Sequence, residues 1–380
     1  MFAPSFNSGN AAIDFIYILF NGISEVPLVS SVLTGLLILL GVLFSSRKAA
    51  LMMVAGSLIG AAVGMIMGVP YSMITSGLLG YNSVLSAMGL WSGPFVKTNR
   101  ATLLLSLFNA AMTVVVYLAL DNVFSNLFVQ GGGGYGIPSF TLGFCVATWA
   151  TLLAAKFYGI DIFDLSKLPE GAASADGHIH DGIGSGIVTL IKGSGNPAPQ
   201  DVPGFKWTPW EFIKASFTGV AQITFVNNWV TGVFWVVGLT LSFSLVPDHL
   251  FANAYAASWD PFSPLFLAGA MAFIGSAIGA VFAIIVKFPT EEIRSGLHGF
   301  NQALLMIALT AFLPLGVGTF IYACLATVVC TIITVPAVKS IFGRWGLPGL
   351  TGPFNFTAFL FMWVAPLALN IPFGLGWGRP

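Results

Sequence analysis

Two stretches of this 380-residue sequence match each other position by position. Residues 20–35 read FNGISEVPLVSSVLTG, and residues 217–232 read FTGVAQITFVNNWVTG. The offset is 197 residues throughout, and Gly41 and Gly238 keep the same offset. Self-similarity at a fixed offset indicates a duplicated structural unit, so the match divides the chain into two related halves.

Two further blocks repeat in the same order along the chain. GYNSVL begins at Gly80 and recurs as GFNQAL from Gly299, at an offset of 219 residues. GIPSFTLGF begins at Gly136 and recurs as GLPGLTGPF from Gly346, at an offset of 210 residues. Three matching blocks in one order indicate that the duplication extends over most of both halves.

The composition places the chain in a membrane. Apolar residues make up 56% of the sequence, charged residues 7%, and the mean hydropathy is +0.89, whereas soluble domains carry about 25% charged residues. The 14 basic and 14 acidic side chains cancel, so no basic surface for nucleic acid is expected. The three cysteines lie in apolar runs and do not indicate a disulfide framework.

Charge-free runs predict the number of membrane crossings, because a helical crossing needs about 20 residues and disfavours ionised groups. By this criterion the sequence predicts about ten full crossings. Two shorter apolar stretches, Ala11–Phe20 and Phe212–Thr224, are interpreted as half-membrane segments. The predicted class is therefore an all-α integral membrane protein.

The charged residues mark the boundary between the two halves. Residues 161–214 hold 11 of the 28 charged side chains, which predicts a first membrane repeat at 1–160, a polar linker at 161–209 and a second repeat at 210–380. If each half crosses five times, the second enters the membrane from the opposite side. The repeats are then inverted, and a substrate site is expected between them at the midplane.

The repeated Gly-aromatic-Asn-x-x-Leu block, the Pro-x-x-Thr-x-x-Phe block and the Gly-x-x-Glu/Gln opening resemble the urea transporter family. The resemblance covers most of the chain outside 161–214. It implies two inverted repeats of five transmembrane helices, each with one re-entrant half-helix. It also implies a homotrimer in the plasma membrane with one pore per subunit, between the halves, and channel-like passage of urea without a cofactor.

The chemistry of urea indicates what such a pore must supply. Urea is small, planar and neutral, with four N–H donors and one acceptor, so removing its water requires replacement hydrogen bonds. Backbone carbonyls freed at broken helix ends would supply acceptors without charge. The Pro and Gly residues beside Thr141 and Thr351 are candidate positions for such carbonyls, and the two hydroxyls add oxygen at the same depth.

The resemblance also implies the remaining site residues. Apolar side chains would form the walls of a slot that fits a flat molecule. By resemblance the walls are Leu28, Leu85, Phe225 and Leu304, although the family often has Phe at the position of Leu28. Glu25 and its repeat mate Gln222 stand where the family carries Gln or Glu. We interpret Asn82 and Asn301 as groups that bond backbone at helix breaks.

Several alternatives stay open from the sequence. The threonines could bond carbonyls within their own helices. Coupled transport of a small polar solute, such as a short amide, is the alternative to facilitated urea transport, with Glu25 and His298 as the ionisable candidates. His298 and His249 stand alone in sequence, so no catalytic constellation is indicated and an enzyme is not expected.

Two polar stretches are interpreted as loops, and the sequence gives two opposite indications of the membrane orientation. The Gly-rich run 131–136 and the His178-x-His180 stretch are interpreted as loops, so no metal site is assigned. The distribution of basic residues places the linker in the cytoplasm, whereas the resemblance implies the reverse orientation.

Overall fold

The computed structural model of the protein describes residues 7–92, 95–96, 98–127, 137–160, 205–241, 267–313 and 316–369. The Gly-rich run 131–136, most of the predicted linker, His178, His180 and His249 lie outside the described residues. The described part of the chain is built from helices, as predicted for an all-α membrane protein.

Seven helices of the described residues precede the linker. They are α1 (Ala11–Ser24), α2 (Val32–Ser45), α3 (Arg47–Ile66), α4 (Tyr71–Thr75), α5 (Gly80–Ala87, continued by a π-helical turn at Met88–Ser92), α6 (Arg100–Leu127) and α7 (Leu142–Phe157).

The described helices after the linker follow a similar order. They are α8 (Pro209–Ala221, continued by a 3-10 turn at Gln222–Thr224), α9 (Trp229–Leu241), α10 (Ala268–Ile285), α11 (Thr290–Arg294), α12 (Phe300–Phe312), α13 (Val317–Val329), a π-helical turn at Cys330–Thr334, α14 (Val335–Gly343) and α15 (Gly352–Ala368).

Four of these helical stretches are long and apolar enough to cross a membrane: Arg47–Ile66, Arg100–Phe124, Ala268–Ile285 and Val317–Gly343. The bent pair Pro209–Thr224 and Trp229–Leu241 makes a fifth if it is counted as one span. The figure of ten crossings stays a prediction. Apolar helices such as Val32–Ser45, with 14 residues, are shorter than the ~20 residues of a full crossing.

The two stretches interpreted as half-membrane segments form short helices with matching ends. α1 begins after Asn10, whose side chain accepts the backbone N–H of Ala12, and α8 begins at Pro209. The chain after each helix passes through a left-handed residue, Leu28 with φ 65° or Phe225 with φ 60°. A side chain with a Cβ is strained there, and the chain changes direction by 77° between α8 and α9.

The repeated glycines allow each short helix to pack closely on the next one. A Cβ at Gly35 would lie 2.0 Å from the carbonyl oxygen of Phe20, and a Cβ at Gly232 would lie 1.9 Å from that of Phe217. Neither position has space for a side chain, since both contacts involve backbone. This close approach explains why both copies of the first block end in glycine.

The halves contact each other through α2 and α9 in a reciprocal way. The Thr34 hydroxyl donates to the carbonyl oxygen of Gly238 at 2.9 Å. The Thr231 hydroxyl, from the equivalent position, donates to the carbonyl oxygen of Gly41 at 2.7 Å. Thr34 and Thr231 are equivalent positions, and so are Gly41 and Gly238, at the offset of 197 residues. The threonine of each half therefore bonds the equivalent glycine of the other half.

Candidate functional site

Thr141 and Thr351 meet in the interior of the protein. Their hydroxyl oxygens lie 2.7 Å apart, although the residues are 210 positions apart in sequence, and both residues are buried. Thr141 directly precedes α7 and Thr351 directly precedes α15. The two helices therefore begin at the same place, one from each half.

The backbone before each threonine turns through the left-handed region. Phe140 has φ 46° and Leu350 has φ 50°. These non-glycine residues are strained in that conformation, so the surrounding structure must hold them. The hydrogen bonds of two buried asparagines, one in each half, provide this support.

Asn82 holds the first of these turns. Its side-chain amide donates to the carbonyl oxygen of Phe140 at 3.1 Å, and its Oδ1 accepts the backbone N–H of Phe144 at 3.0 Å. The Tyr81 hydroxyl donates to the same Phe140 carbonyl at 2.6 Å. The prediction that Asn82 bonds backbone at a helix break is confirmed.

Asn301 makes the same two bonds in the second half. Its amide donates to the carbonyl oxygen of Leu350 at 3.5 Å, and its Oδ1 accepts the backbone N–H of Phe354 at 3.0 Å. The prediction for Asn301 is confirmed as well. Phe300 stands at the position of Tyr81 and has no hydroxyl, so the second turn lacks the additional tyrosine bond.

The carbonyls next to the threonine pair are already engaged by protein donors. Besides the bonds to Phe140 and Leu350, the carbonyl of Ser139 accepts the N–H of Leu142, and the carbonyl of Pro348 accepts the indole N–H of Trp149 at 2.8 Å. A carbonyl oxygen that accepts one hydrogen bond keeps a second lone pair. The expectation that carbonyls beside the threonines offer acceptors to a solute therefore stays a prediction.

Glu25 and Gln222 lie at equivalent positions after α1 and α8, and both are buried. The Glu25 carboxylate hydrogen-bonds the Ser30 hydroxyl. In the second half, Gln222 Oε1 and Asn227 Oδ1 have no hydrogen-bond partner among the described residues. Because a buried acceptor without a partner is costly, this end of the second half has unused acceptor capacity.

The four apolar wall candidates fall into two environments. Leu85 and Leu304 are fully buried within α5 and α12. Leu28 and Phe225 are half-buried at the left-handed turns. The ring of Phe225 packs edge-on against Phe144 with 6.1 Å between ring centroids, which brings this second-half side chain next to the first-half helix that follows Thr141.

The sequence analysis missed two residues beside the threonine pair. Cys145 Sγ lies 3.2 Å from the Thr351 hydroxyl, and the Asn355 amide donates to the Thr141 hydroxyl at 3.0 Å. Each stands four positions after the threonine of its own half and contacts the threonine of the other. The spacing of one helical turn was the available signal, since residues i and i+4 share a helix face.

The sequence is similar to known membrane transporters. The sequence model of the UT: Urea transporter family matches residues 2–156 and 213–374. The chain belongs to the urea transporter family. Urea transporter 1 of Ovis aries is 28% identical over 369 residues, covering 95% of this chain and 79% of that protein. Urea transporter 1 of Mus musculus is 26% identical over 368 residues, with coverages of 94% and 79%.

Family membership makes this chain a membrane transport protein and places it outside the enzyme families. The match leaves out residues 157–212, which include most of the predicted linker. Within the described residues, no cluster of three His, Cys, Asp or Glu side chains has an arrangement suited to a metal ion.

One expectation about His298 needs correction. His298 does not stand alone, because its Nε2 lies 2.8 Å from Glu292 Oε2, and Lys339 Nζ lies 2.8 Å from the same oxygen. Glu292 of α11 thus contacts both His298, in the segment after α11, and Lys339 of α14. The sequence spacing of His298 and Lys339 gave no indication of this contact.

Proposed function

We propose that the protein passes urea down its concentration gradient through a narrow slot between two inverted halves, in the manner of a channel. The observation that carries the proposal is the 2.7 Å contact between the hydroxyls of Thr141 and Thr351. Equivalent residues of two repeats approach this closely only near the axis that relates the repeats, which is where an inverted-repeat transporter places its substrate site.

The reciprocal contacts support the arrangement of the halves. Thr34 bonds Gly238 while Thr231 bonds Gly41. A twofold relation between the halves generates such paired contacts, because each contact between two positions is repeated with the halves exchanged. We infer five crossings and one re-entrant half-helix in each half, with α1 and α8 as half-membrane elements.

The threonine pair suits a neutral, planar solute. One hydroxyl hydrogen is used in the bond between the threonines, so the pair can offer one O–H to the urea carbonyl and its remaining lone pairs to urea N–H groups. It can therefore replace part of the lost hydration without a charge. The pair also sits at the first turns of α7 and α15, where the helix dipoles place partial positive charge. That potential disfavours cations at the narrowest point and leaves neutral solutes unaffected.

The proposal extends to the walls of the slot. Leu85 and Leu304 lie one turn after the starts of α5 and α12, and Leu28 and Phe225 lie at the two left-handed turns. We assign these four side chains to the apolar faces that hold the plane of urea edge-on. Glu25 and Gln222 are assigned to the two approaches, where they present oxygen to urea before it reaches the threonines.

The assembly and location are part of the proposal. Large apolar side chains exposed on the long helices, such as Leu104 and Ile321, support a membrane-embedded protein. We propose a homotrimer in the plasma membrane with one pore in each subunit. No cofactor enters the mechanism.

Passive transport is tested by flux into proteoliposomes. We expect wild-type urea influx to keep the same rate when a proton or sodium gradient is imposed, because solute selection rests on neutral groups around Thr141 and Thr351. Glu25→Gln keeps the shape and hydrogen-bonding capacity of the side chain, so we expect influx within about threefold of wild type, equivalent to the loss of less than one hydrogen bond. Uphill urea accumulation driven by either gradient, lost in Glu25→Gln, would show coupled transport instead.

A further inference from the structure

Asn355 lies on α15 one turn after Thr351, and its side chain is completely buried. The side-chain amide donates to the carbonyl oxygen of Thr351 at 2.8 Å and to the hydroxyl of Thr141 at 3.0 Å. These two bonds use both hydrogens of the amide. The carboxamide is therefore held in one orientation, and Thr141 accepts a hydrogen bond from it.

The other end of this carboxamide has no partner. Asn355 Oδ1 is buried and makes no hydrogen bond to any described residue. Rotating the carboxamide by 180° would bring Oδ1 near the Thr141 hydroxyl and the Cys145 thiol but would also place it against the Thr351 carbonyl at 2.8 Å. Because that carbonyl is an acceptor too, the rotated orientation is unfavourable. An acceptor that is buried without a donor is costly in a folded protein, so a donor from outside the chain is the natural occupant.

The groups around Asn355 Oδ1 indicate what kind of donor fits there. The threonine pair, Cys145 and Asn355 form one polar cluster at the contact between the halves. The groups within this cluster are neutral, so a neutral donor fits better than a cation. The first half carries the Cys145 thiol at the repeat position of Asn355, and a thiol is a weak acceptor. The cluster is therefore asymmetric: the strong acceptor without a hydrogen-bond partner, Asn355 Oδ1, belongs to the second half.

We propose that the carboxamide oxygen of Asn355 accepts an N–H of the permeating urea beside the threonine pair, while its amide group positions Thr141. This inference rests on the proposed function and assigns one further contact to the same passage. It explains why a polar, incompletely bonded side chain occupies the interior of an apolar helix. It also makes the contact selective for solutes with several N–H groups.

The test compares Asn355→Leu with wild type in proteoliposomes, normalised to the amount of protein incorporated. Leucine has a similar volume and no polar atom. We expect the urea concentration for half-maximal flux to rise about tenfold, as for loss of a buried hydrogen bond. Urea has four N–H groups and acetamide has two, so the preference for urea over acetamide should fall. Thr357→Val, two positions further along α15, is the matched control and should keep both values.

The outcomes separate this inference from the proposed function. Wild-type protein without urea flux would refute the proposed function itself. Wild-type flux together with an unchanged half-saturation and an unchanged urea preference in Asn355→Leu would overturn the Asn355 contact and leave the threonine assignment standing. A lower maximal rate with both of these values unchanged would show a purely structural role and would also overturn it.

A second measurement does not depend on the leucine variant folding well. In Asn355→Cys the introduced thiol takes the place of the carboxamide, and a small mercurial such as methylmercury can reach it only from a passage. We expect labelling at position 355, measured by peptide mass spectrometry, and severalfold slower labelling in the presence of urea. Labelling that urea does not slow, or no labelling in protein that conducts urea, would contradict the proposal.

Discussion

Leu85→Trp is expected to reduce urea flux to the background of protein-free liposomes. Leu85 is fully buried in α5 and is assigned to a wall of the slot. A tryptophan side chain fills the space that a flat solute needs. Overpacking a buried position also costs about 1–3 kcal/mol of stability, so flux is measured per folded protein recovered after size-exclusion chromatography.

Two further variants make this result specific. Leu85→Ala removes volume from the same position, and we expect it to admit bulkier amides that wild type excludes. Leu104→Trp introduces the same ring on α6, where the leucine is 69% exposed, and flux should stay at the wild-type level. Folded Leu85→Trp protein that conducts urea at the wild-type rate would place Leu85 outside the slot.

Thr141→Val and Thr351→Val are each expected to slow urea flux about fivefold to tenfold. Valine preserves the branched shape and removes the hydroxyl, and one hydrogen bond contributes about 0.5–1.5 kcal/mol. Because the hydroxyls contact each other at 2.7 Å, the double variant should lose less than the product of the two single effects. Initial rates of urea influx for the four proteins give the double-mutant cycle.

The matched control for this cycle is Thr327→Val. Thr327 is also buried, but its hydroxyl bonds the carbonyl oxygen of Ala323 within its own helix. Its replacement should leave urea flux unchanged. Independent, multiplicative effects of Thr141→Val and Thr351→Val would show that the two hydroxyls do not act on the same solute.

The repeated blocks predicted the arrangement around the threonines well. Matching positions in a duplicated chain have matching environments, and this reasoning anticipated the helix-break bonds of Asn82 and Asn301. It also singled out Thr141 and Thr351, which lie together in the structure. The all-α membrane class followed from the composition together with the lengths of the charge-free runs, which suit helical crossings.

Other features could not be obtained from the sequence, for identifiable physical reasons. Leu28 and Phe225 adopt left-handed conformations that local propensity disfavours, and tertiary packing holds them there. Cys145 and Asn355 occupy equivalent positions but are different residue types. The match between the repeats therefore did not indicate that Cys145 contacts Thr351 and that Asn355 contacts Thr141. Hydropathy counts apolar residues and is insensitive to turns, which explains why helices such as Val32–Ser45 are shorter than the predicted crossings.

The contact of His298 with Glu292 and Lys339 illustrates a further limit. Charge runs and spacings describe neighbours in sequence, whereas this cluster forms because Lys339 of α14 lies against Glu292 of α11. A long-range contact between single charged residues leaves no periodic pattern. The cluster depends on the tertiary packing of the helices.

The most direct test of the central claim is a crystal structure of the protein determined with and without urea. We expect urea between the two halves, edge-on, with its nitrogen or oxygen atoms within hydrogen-bond distance of the hydroxyls of both Thr141 and Thr351. Urea bound elsewhere in a continuous passage that avoids the two threonines would contradict the account.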